Sequence, residues 1–256
     1  MKKKIKRFVN FLGYELRNIK SPTTIGALCN RPVGSMVTIL EDLRLCGLEC
    51  KSILDVGANS SSWSRLAKKI FHEAHFYLIE PQIEMEDKLI AFTNEFSNSA
   101  YFLNGVGSAN EILTLTIWDD LAGSSLLPKE DEKLLKNGKQ RKIEIVTIDH
   151  LIESNEIMMP ELIKLDIQGF ELEALKGATK TFGYTEVYIL EVSLFPFSDG
   201  PGMPIFGDVI NFMLDYGYVV YDFAGFLRRP LDGALGQCDI CFVKKDGFLR
   251  QSNDWQ

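Results

Sequence analysis

Apolar positions along this chain follow two periods. Short, almost wholly apolar runs occupy 52–56, 75–79, 100–106, 162–167 and 186–192, the pattern of parallel strands covered on both faces. Helical spacing follows several of them: Trp63, Leu66, Ala67 and Ile70 behind the first, residues 84–96 behind the second, and Leu172, Leu175 and Ala178 within 170–180. Residues 36–45 and 206–216 predict two more helices. Strand, small-residue turn, helix, repeated in this way, predicts an α/β fold with helices on both faces of a mostly parallel sheet. Two strands at 218–223 and 238–244, joined by a loop with Arg228, Arg229 and Asp232, predict a sheet that ends in an antiparallel hairpin.

Residues 111–118 and 141–148 alternate strictly, so they read as half-exposed strands. Between them lies a polar stretch, 119–128, and a charged one, 129–142. A simple helical crossover has no need of this insertion, about 108–148, which reads either as a hairpin lid or substrate loop or as a surface excursion. Residues 193–206, rich in proline, glycine and phenylalanine, read as a loop over the same sheet edge. Residues 1–20 predict a basic amphipathic helix, with Ile5, Phe8, Val9, Leu12 and Leu16 on one stripe and Lys2, Lys3, Lys4, Lys6 and Arg7 at its start. That helix either packs on the domain with a solvated basic end or touches a membrane surface or partner. The chain thus divides into an N-terminal helical extension, 1–50, and one large domain, 51–256.

Composition narrows the function classes. With 256 residues and a net charge of −7, the chain lacks the basic footprint of a general nucleic-acid binder. No apolar run reaches the ~20 residues that cross a bilayer, and residues 1–20 lack the apolar core and cleavage site of a signal peptide. Five cysteines form no regular framework, which fits a reducing cytoplasm. Cys238 and Cys241 fall at i and i+3 of a strand, so their thiols point to opposite faces and do not form a metal or redox pair.

The chemistry gathers at strand ends. Asp55-Val-Gly-Ala-Asn59 delivers backbone N–H groups and a helix N-terminus above the first strand. A dinucleotide fingerprint places glycines where this chain has Asn59 and Ser62, and a pyrophosphate disfavours a carboxylate such as Asp55. The turn therefore suits a nucleoside with an amino-acid tail and no phosphate, S-adenosylmethionine. Glu80 closes the second strand ~20 residues beyond the turn, where such folds hold a ribose. Asn104, at the tip of the third strand, is a candidate for the adenine, and Ser125, with Ser124, for a cover over the cofactor. Asp166 and Glu191 end two further strands, where α/β sheets bind ligands.

Six segments, Asp55-Val-Gly-Ala-Asn59, Glu80-Pro81, Thr147-Ile-Asp149, Lys164-Leu-Asp-Ile-Gln-Gly-Phe-Glu171, Leu175-Lys-Gly-Ala178 and Glu191-Val-Ser193, together resemble the FkbM family of S-adenosylmethionine-dependent methyltransferases over about 52–244. The resemblance implies a class I methyltransferase (Rossmann-like) fold, a seven-stranded sheet with the last strand antiparallel. It also implies methylation of a hydroxyl on a sugar, polysaccharide or natural product, hence a small-molecule or glycan acceptor. The chain departs from the family at Ser61, where a glycine is usual, and at Gln168, where glutamate is frequent. A serine at 61 fits if φ is negative, and its hydroxyl could then cap the helix. A positive φ would strain it.

On this reading Gly57, Asn59 and Ser61 form the turn that holds the methionine end, with Asp55 near its ammonium. Glu80 and Pro81 flank the ribose, and Asn104 meets the adenine. Asp166 is the first choice for the base, Glu191 the second and His150 a third. If Asp166 and Glu191 converge, they could also hold Mg²⁺. Phe195, Phe197, Tyr221, Phe223 and Phe226 either stack on sugar rings or simply pack. The alternatives are an NAD-dependent sugar oxidoreductase, a catalytically degenerate binding module, and a membrane-associated assembly subunit.

Overall fold

The computed structural model describes residues 30–197, 202–252 and 254. The basic stretch 1–20 lies outside them. Seven strands form the main sheet in the order β3-β2-β1-β7-β8-β10-β9. These are β1 (Ser52–Val56), β2 (His75–Ile79), β3 (Ser99–Phe102), β7 (Leu162–Leu165), β8 (Val187–Ser193), β9 (Tyr218–Arg228) and β10 (Leu235–Lys244). Strands β1, β2, β3, β7 and β8 pair in parallel, whereas β10 runs antiparallel to both β8 and β9. The order reverses beside β1, so a crevice opens above the carboxyl ends of β1 and β7.

Every residue of β1 and β7 is buried, which is why these strands read as mostly apolar runs and not as alternation. Helices α1 (Met36–Leu45), α2 (Ser62–Ile70) and α3 (Glu86–Glu95) cover one face, sharing a core with Ile53, Phe76, Leu78 and Ile189. Helices α5 (Ile148–Glu153), α6 (Glu171–Lys176) and α7 (Phe206–Asp215) cover the other, with Leu54, Ile163, Leu190 and Phe242. Ser35 caps α1 by accepting the Thr38 N–H, and Leu40 and Leu43 on that helix are wholly buried. The helix at 36–45 therefore contributes Ile39, Leu40 and Leu43 to the core layer it covers. Cys238 joins one core layer and Cys241 the other, as the strand period requires.

The alternating segments build a second sheet, ordered β4-β6-β5, from β4 (Gly105–Val106), β5 (Glu111–Thr116) and β6 (Gln140–Val146). The sequence predicts one strand over 100–106. The structure splits it, β3 staying in the main sheet while β4 pairs in parallel with β6. Asn104 sits in the gap and marks the place where the chain leaves one sheet for the other. Within the insertion β5 and β6 pair antiparallel, a short helix, α4 (Glu132–Lys136), lies in the connection between them, and β4 adds a third strand from outside it. Among the described residues no helix is long and apolar enough to cross a membrane.

Candidate active site

The turn after β1 is locked from two sides. Gly57 and Ala58 both donate their N–H to the Ile79 carbonyl at the end of β2, 2.9 and 3.1 Å away. Gly57 has φ +78°, and a Cβ there would lie 1.9 Å from the Asp166 carbonyl oxygen, so only glycine lets β1 and β7 open at this level. The next residue but one is held by Glu80: its carboxylate accepts the Asn59 N–H at 2.8 Å and, on the other oxygen, the Gln82 N–H and amide at 3.0 and 3.1 Å. Burial raises the Glu80 carboxyl above its ordinary value, while these hydrogen bonds oppose the shift.

A cavity of about 340 Å³ opens above this turn, within the size range of small-molecule sites. Gly57, Asn59, Glu80, Pro81, Asn104, Ser125, Asp166 and Glu191 all contribute to its wall. Asp55 and Ser61 do not. Asp55 is wholly buried, accepts the Ser64 hydroxyl at 2.6 Å, and turns its other oxygen toward the Lys164 ammonium at 3.8 Å. In a strand buried on both faces the sequence does not tell which carboxylates reach the crevice, and this one is committed inward. Ser61 has φ +60° and makes no capping bond to α2; its hydroxyl donates to the Ser60 carbonyl instead. The left-handed backbone turns the side chain away from the free N–H groups of the helix. His150, on α5, is exposed and is not part of the wall.

Lys164 is the residue that the sequence reading left without a role. It lines the cavity, lies 2.9 Å from Asp166 Oδ2, and sits over the Trp63 ring with its ammonium 5.8 Å from the centroid. Burial works against its charge, but Asp166 and Asp55 outweigh that and hold it above the ordinary lysine value. A lysine inside a buried apolar strand was the available signal, because such a charge must be paired.

Gln168 Nε2 donates to Asp166 Oδ1 at 3.2 Å and to Glu191 Oε2 at 2.8 Å, so the two carboxylates do converge, around an amide. Burial, then repulsion from Asp166, pushes the Glu191 carboxyl far above its usual range. This geometry gives the magnesium expectation no support: a hydrogen-bond donor stands between the two acids, and no group of three or more His, Cys, Asp or Glu among the described residues suits a metal. Ser125 closes the roof, its hydroxyl donating to the Gln168 carbonyl at 3.0 Å while accepting the Leu127 N–H. Of the aromatic candidates, Phe223 and Tyr221 pack against the core layers, whereas Phe197 and Phe226 are about half exposed.

The strand order with one antiparallel strand, the turn locked onto Glu80, and the cavity above it define a class I methyltransferase fold. The chain belongs to the FkbM methyltransferase family, whose domain model matches residues 55–220. A stretch of 50 residues is 38% identical to the hexuronic acid methyltransferase AglP of Haloferax volcanii, covering 20% of this chain and 21% of that protein, so the likeness spans about a fifth of the relative. Among solved structures, precorrin-6y C5,15-methyltransferase from Geobacter metallireducens is 13% identical with a TM-score of 0.45, over 81% of this chain and 87% of that one. Aeropyrum pernix fibrillarin, solved with natively bound S-adenosylmethionine, is 11% identical with a TM-score of 0.44, over 76% and 67%.

Proposed function

We propose that the chain is an S-adenosylmethionine-dependent O-methyltransferase acting on a hydroxyl of a sugar, polysaccharide or natural-product acceptor. The observation that carries this reading is one wall holding two functions. The Gly57–Asn59 turn is clamped to Glu80, and Asp166 stands beside it, with its side chain 31% exposed and steadied by Lys164 and Gln168. The residues present fit the cofactor: a glycine turn that admits no Cβ, and a buried carboxylate whose Oε2 keeps a lone pair free after the Asn59 bond. When bound, S-adenosylmethionine supplies an electrophilic methyl group. Glu80 Oε2 accepts a ribose hydroxyl, and Asn104, at the exit from β3, meets the base. Asp166 Oδ1 or Oδ2 takes the proton that the acceptor hydroxyl loses. Burial keeps Glu191 protonated near neutral pH, which leaves Asp166 as the base and makes Glu191 a hydrogen-bonding partner. The name of the archaeal relative adds acidic sugars to the acceptor classes to be tried.

Calorimetric titration with S-adenosylmethionine, S-adenosylhomocysteine and NAD, for wild type beside Glu80→Ala, tests the pocket. Both sulfur cofactors should bind and the variant should lose at least about tenfold in affinity, the cost of a charge-assisted pair. Asp166→Asn should keep that affinity and lower turnover by about 10²-fold or more. Binding of NAD alone would replace this reading with the oxidoreductase. Cofactor binding with no transfer to any hydroxyl in a broad acceptor screen would replace it with the degenerate module.

A further inference from the structure

Glu80 has less room for a cofactor than its position at the end of β2 suggests. Its Oε1 accepts both the Gln82 N–H and the Gln82 side-chain amide, at 3.0 and 3.1 Å, and its Oε2 accepts the Asn59 N–H at 2.8 Å. A carboxylate oxygen holds two lone pairs, so Oε1 is filled and Oε2 keeps one place. A ribose presents two adjacent hydroxyls. One place on Glu80 does not accept both.

The second acceptor stands two residues further on. Gln82 lines the same wall, beside Glu80 and Pro81, and is 5% exposed. Its Nε2 is spent on Glu80, while its Oε1 is buried and takes no hydrogen bond. Turning the amide over would set its oxygen against the Glu80 carboxylate, so Glu80 itself fixes which atom is left over. Among the described residues, the other wall residue with a buried, unpaired side-chain atom is Trp63, whose Nε1 is a donor. Gln82 Oε1 is thus the wall acceptor that awaits a partner.

The backbone around Gln82 is pinned as well. Gln82 leads into a short 3₁₀ turn, Ile83–Met85, and its carbonyl accepts the Met85 N–H at 2.9 Å. From β6, Arg141 forks onto the Glu84 carboxylate of that turn at 2.8 and 2.7 Å. A buried acceptor held in such a place is costly until a donor reaches it. Because the amide lies against Glu80, that donor belongs to the sugar; Asn104, at the exit from β3, is the wall amide assigned to the base.

Resting on the methyltransferase reading, we infer that Glu80 and Gln82 divide the ribose of the cofactor, Glu80 Oε2 accepting one hydroxyl and Gln82 Oε1 the other. Gln82 is then a specificity-determining residue. The pair reads the complete vicinal diol, and a nucleoside that lacks either hydroxyl leaves one buried acceptor unpaired.

The test is calorimetric binding of S-adenosylhomocysteine and of its 2′-deoxy and 3′-deoxy analogues to the full chain, wild type beside Gln82→Met. Wild type should bind each analogue about tenfold or more weakly than the parent, the scale of one hydrogen bond whose acceptor stays buried. In Gln82→Met, which keeps the length of the side chain but removes the amide, the parent should weaken by about tenfold. The penalty of one analogue should then fall to about twofold or less, and that of the other should remain. Equal affinity of wild type for the parent and either analogue overturns the inference without any variant. So does a Gln82→Met protein that keeps both penalties, because Gln82 then accepts neither hydroxyl. Loss of both penalties together overturns it too, because Gln82 then acts only by holding Glu80 in place. Failure of S-adenosylhomocysteine to bind wild type would instead overturn the methyltransferase reading, and this inference with it.

Discussion

Ser61 shows how much one residue can hide from a sequence reading. Its identity is compatible with a helix cap, and only the backbone angle, φ +60°, reveals that the position is left-handed. An L-residue there carries about 1–2 kcal/mol of steric cost, part of which a glycine returns to the unfolded chain as entropy. Ser61→Gly should therefore raise the melting temperature by about 2–3 °C, the response of a chain this size to about 1 kcal/mol. Because Ser61 is fully buried and outside the cavity wall, cofactor affinity should not change. A fall in melting temperature would mean that the Ser61–Ser60 hydrogen bond outweighs the strain. Asp55 is the companion case. Its type and place before the turn suggest a ligand contact, yet its side chain faces Ser64 and Lys164, because both faces of β1 are covered and identity alone does not choose between them.

At the scale of elements, much of the family motif turns out to be joinery. Asp149 accepts the N–H groups of Thr179 and Lys180, at 2.9 Å each, and so ties α5 to the turn after α6. The Gly177 carbonyl accepts the Asp149 N–H, and Gly177 could not carry a Cβ, which would lie 2.1 Å from the Gly107 carbonyl oxygen. Glu171, at the start of α6, accepts the Ile167 and Gly169 N–H groups at 2.9 and 3.2 Å and so fixes the loop that carries Gln168. Burial raises the Glu171 carboxyl from 4.5 to about 7. The folded chain thus holds a proton that the unfolded chain has lost over that window. The stability this confers is full below the unfolded value and is lost as pH rises through about 7, up to about 2–3 kcal/mol. Glu171→Gln keeps an oxygen for both N–H groups and cannot ionise. Its melting temperature should fall less between pH 5 and pH 8 than that of wild type, by about 5 °C. Parallel slopes for the two proteins would show that Glu171 stays ionised in the fold. The elements themselves were legible wherever one face is solvated or a cap is present, as in β5, β6 and α1. The break between β3 and β4 was not, because Ala100 to Val106 stays apolar across a change of sheet that only tertiary pairing decides.

For the molecule as a whole, the cavity belongs to neither sheet alone. Gly57, Glu80 and Asp166 come from the main sheet, whereas Leu115, Ala122, Ser124 and Leu126 come from β5 and the loop that follows it. The sequence exposes the first set through turn and acid motifs. It leaves the second without a chemical signature, since a cover made of small and aliphatic side chains acts by shape. The two layers meet at polar points such as Ser125 on the Gln168 carbonyl and Arg141 on the Glu84 carboxylate. An occupant bound between them would touch both layers, so its binding energy appears in part as extra stability of the cover. S-adenosylhomocysteine at about a hundred times its dissociation constant should stabilise the fold by about 2.7 kcal/mol, raising the melting temperature by about 5–10 °C. In hydrogen exchange, the amides of 116–127 should slow together with those of 57–60, although the cover is distant in sequence from the cofactor turn. Slowing confined to 57–60, with the melting temperature raised as expected, would show that the cofactor sits on the main sheet alone. The three-stranded sheet would then lose its place as the roof of the site, and the acceptor would enter from the side it leaves open.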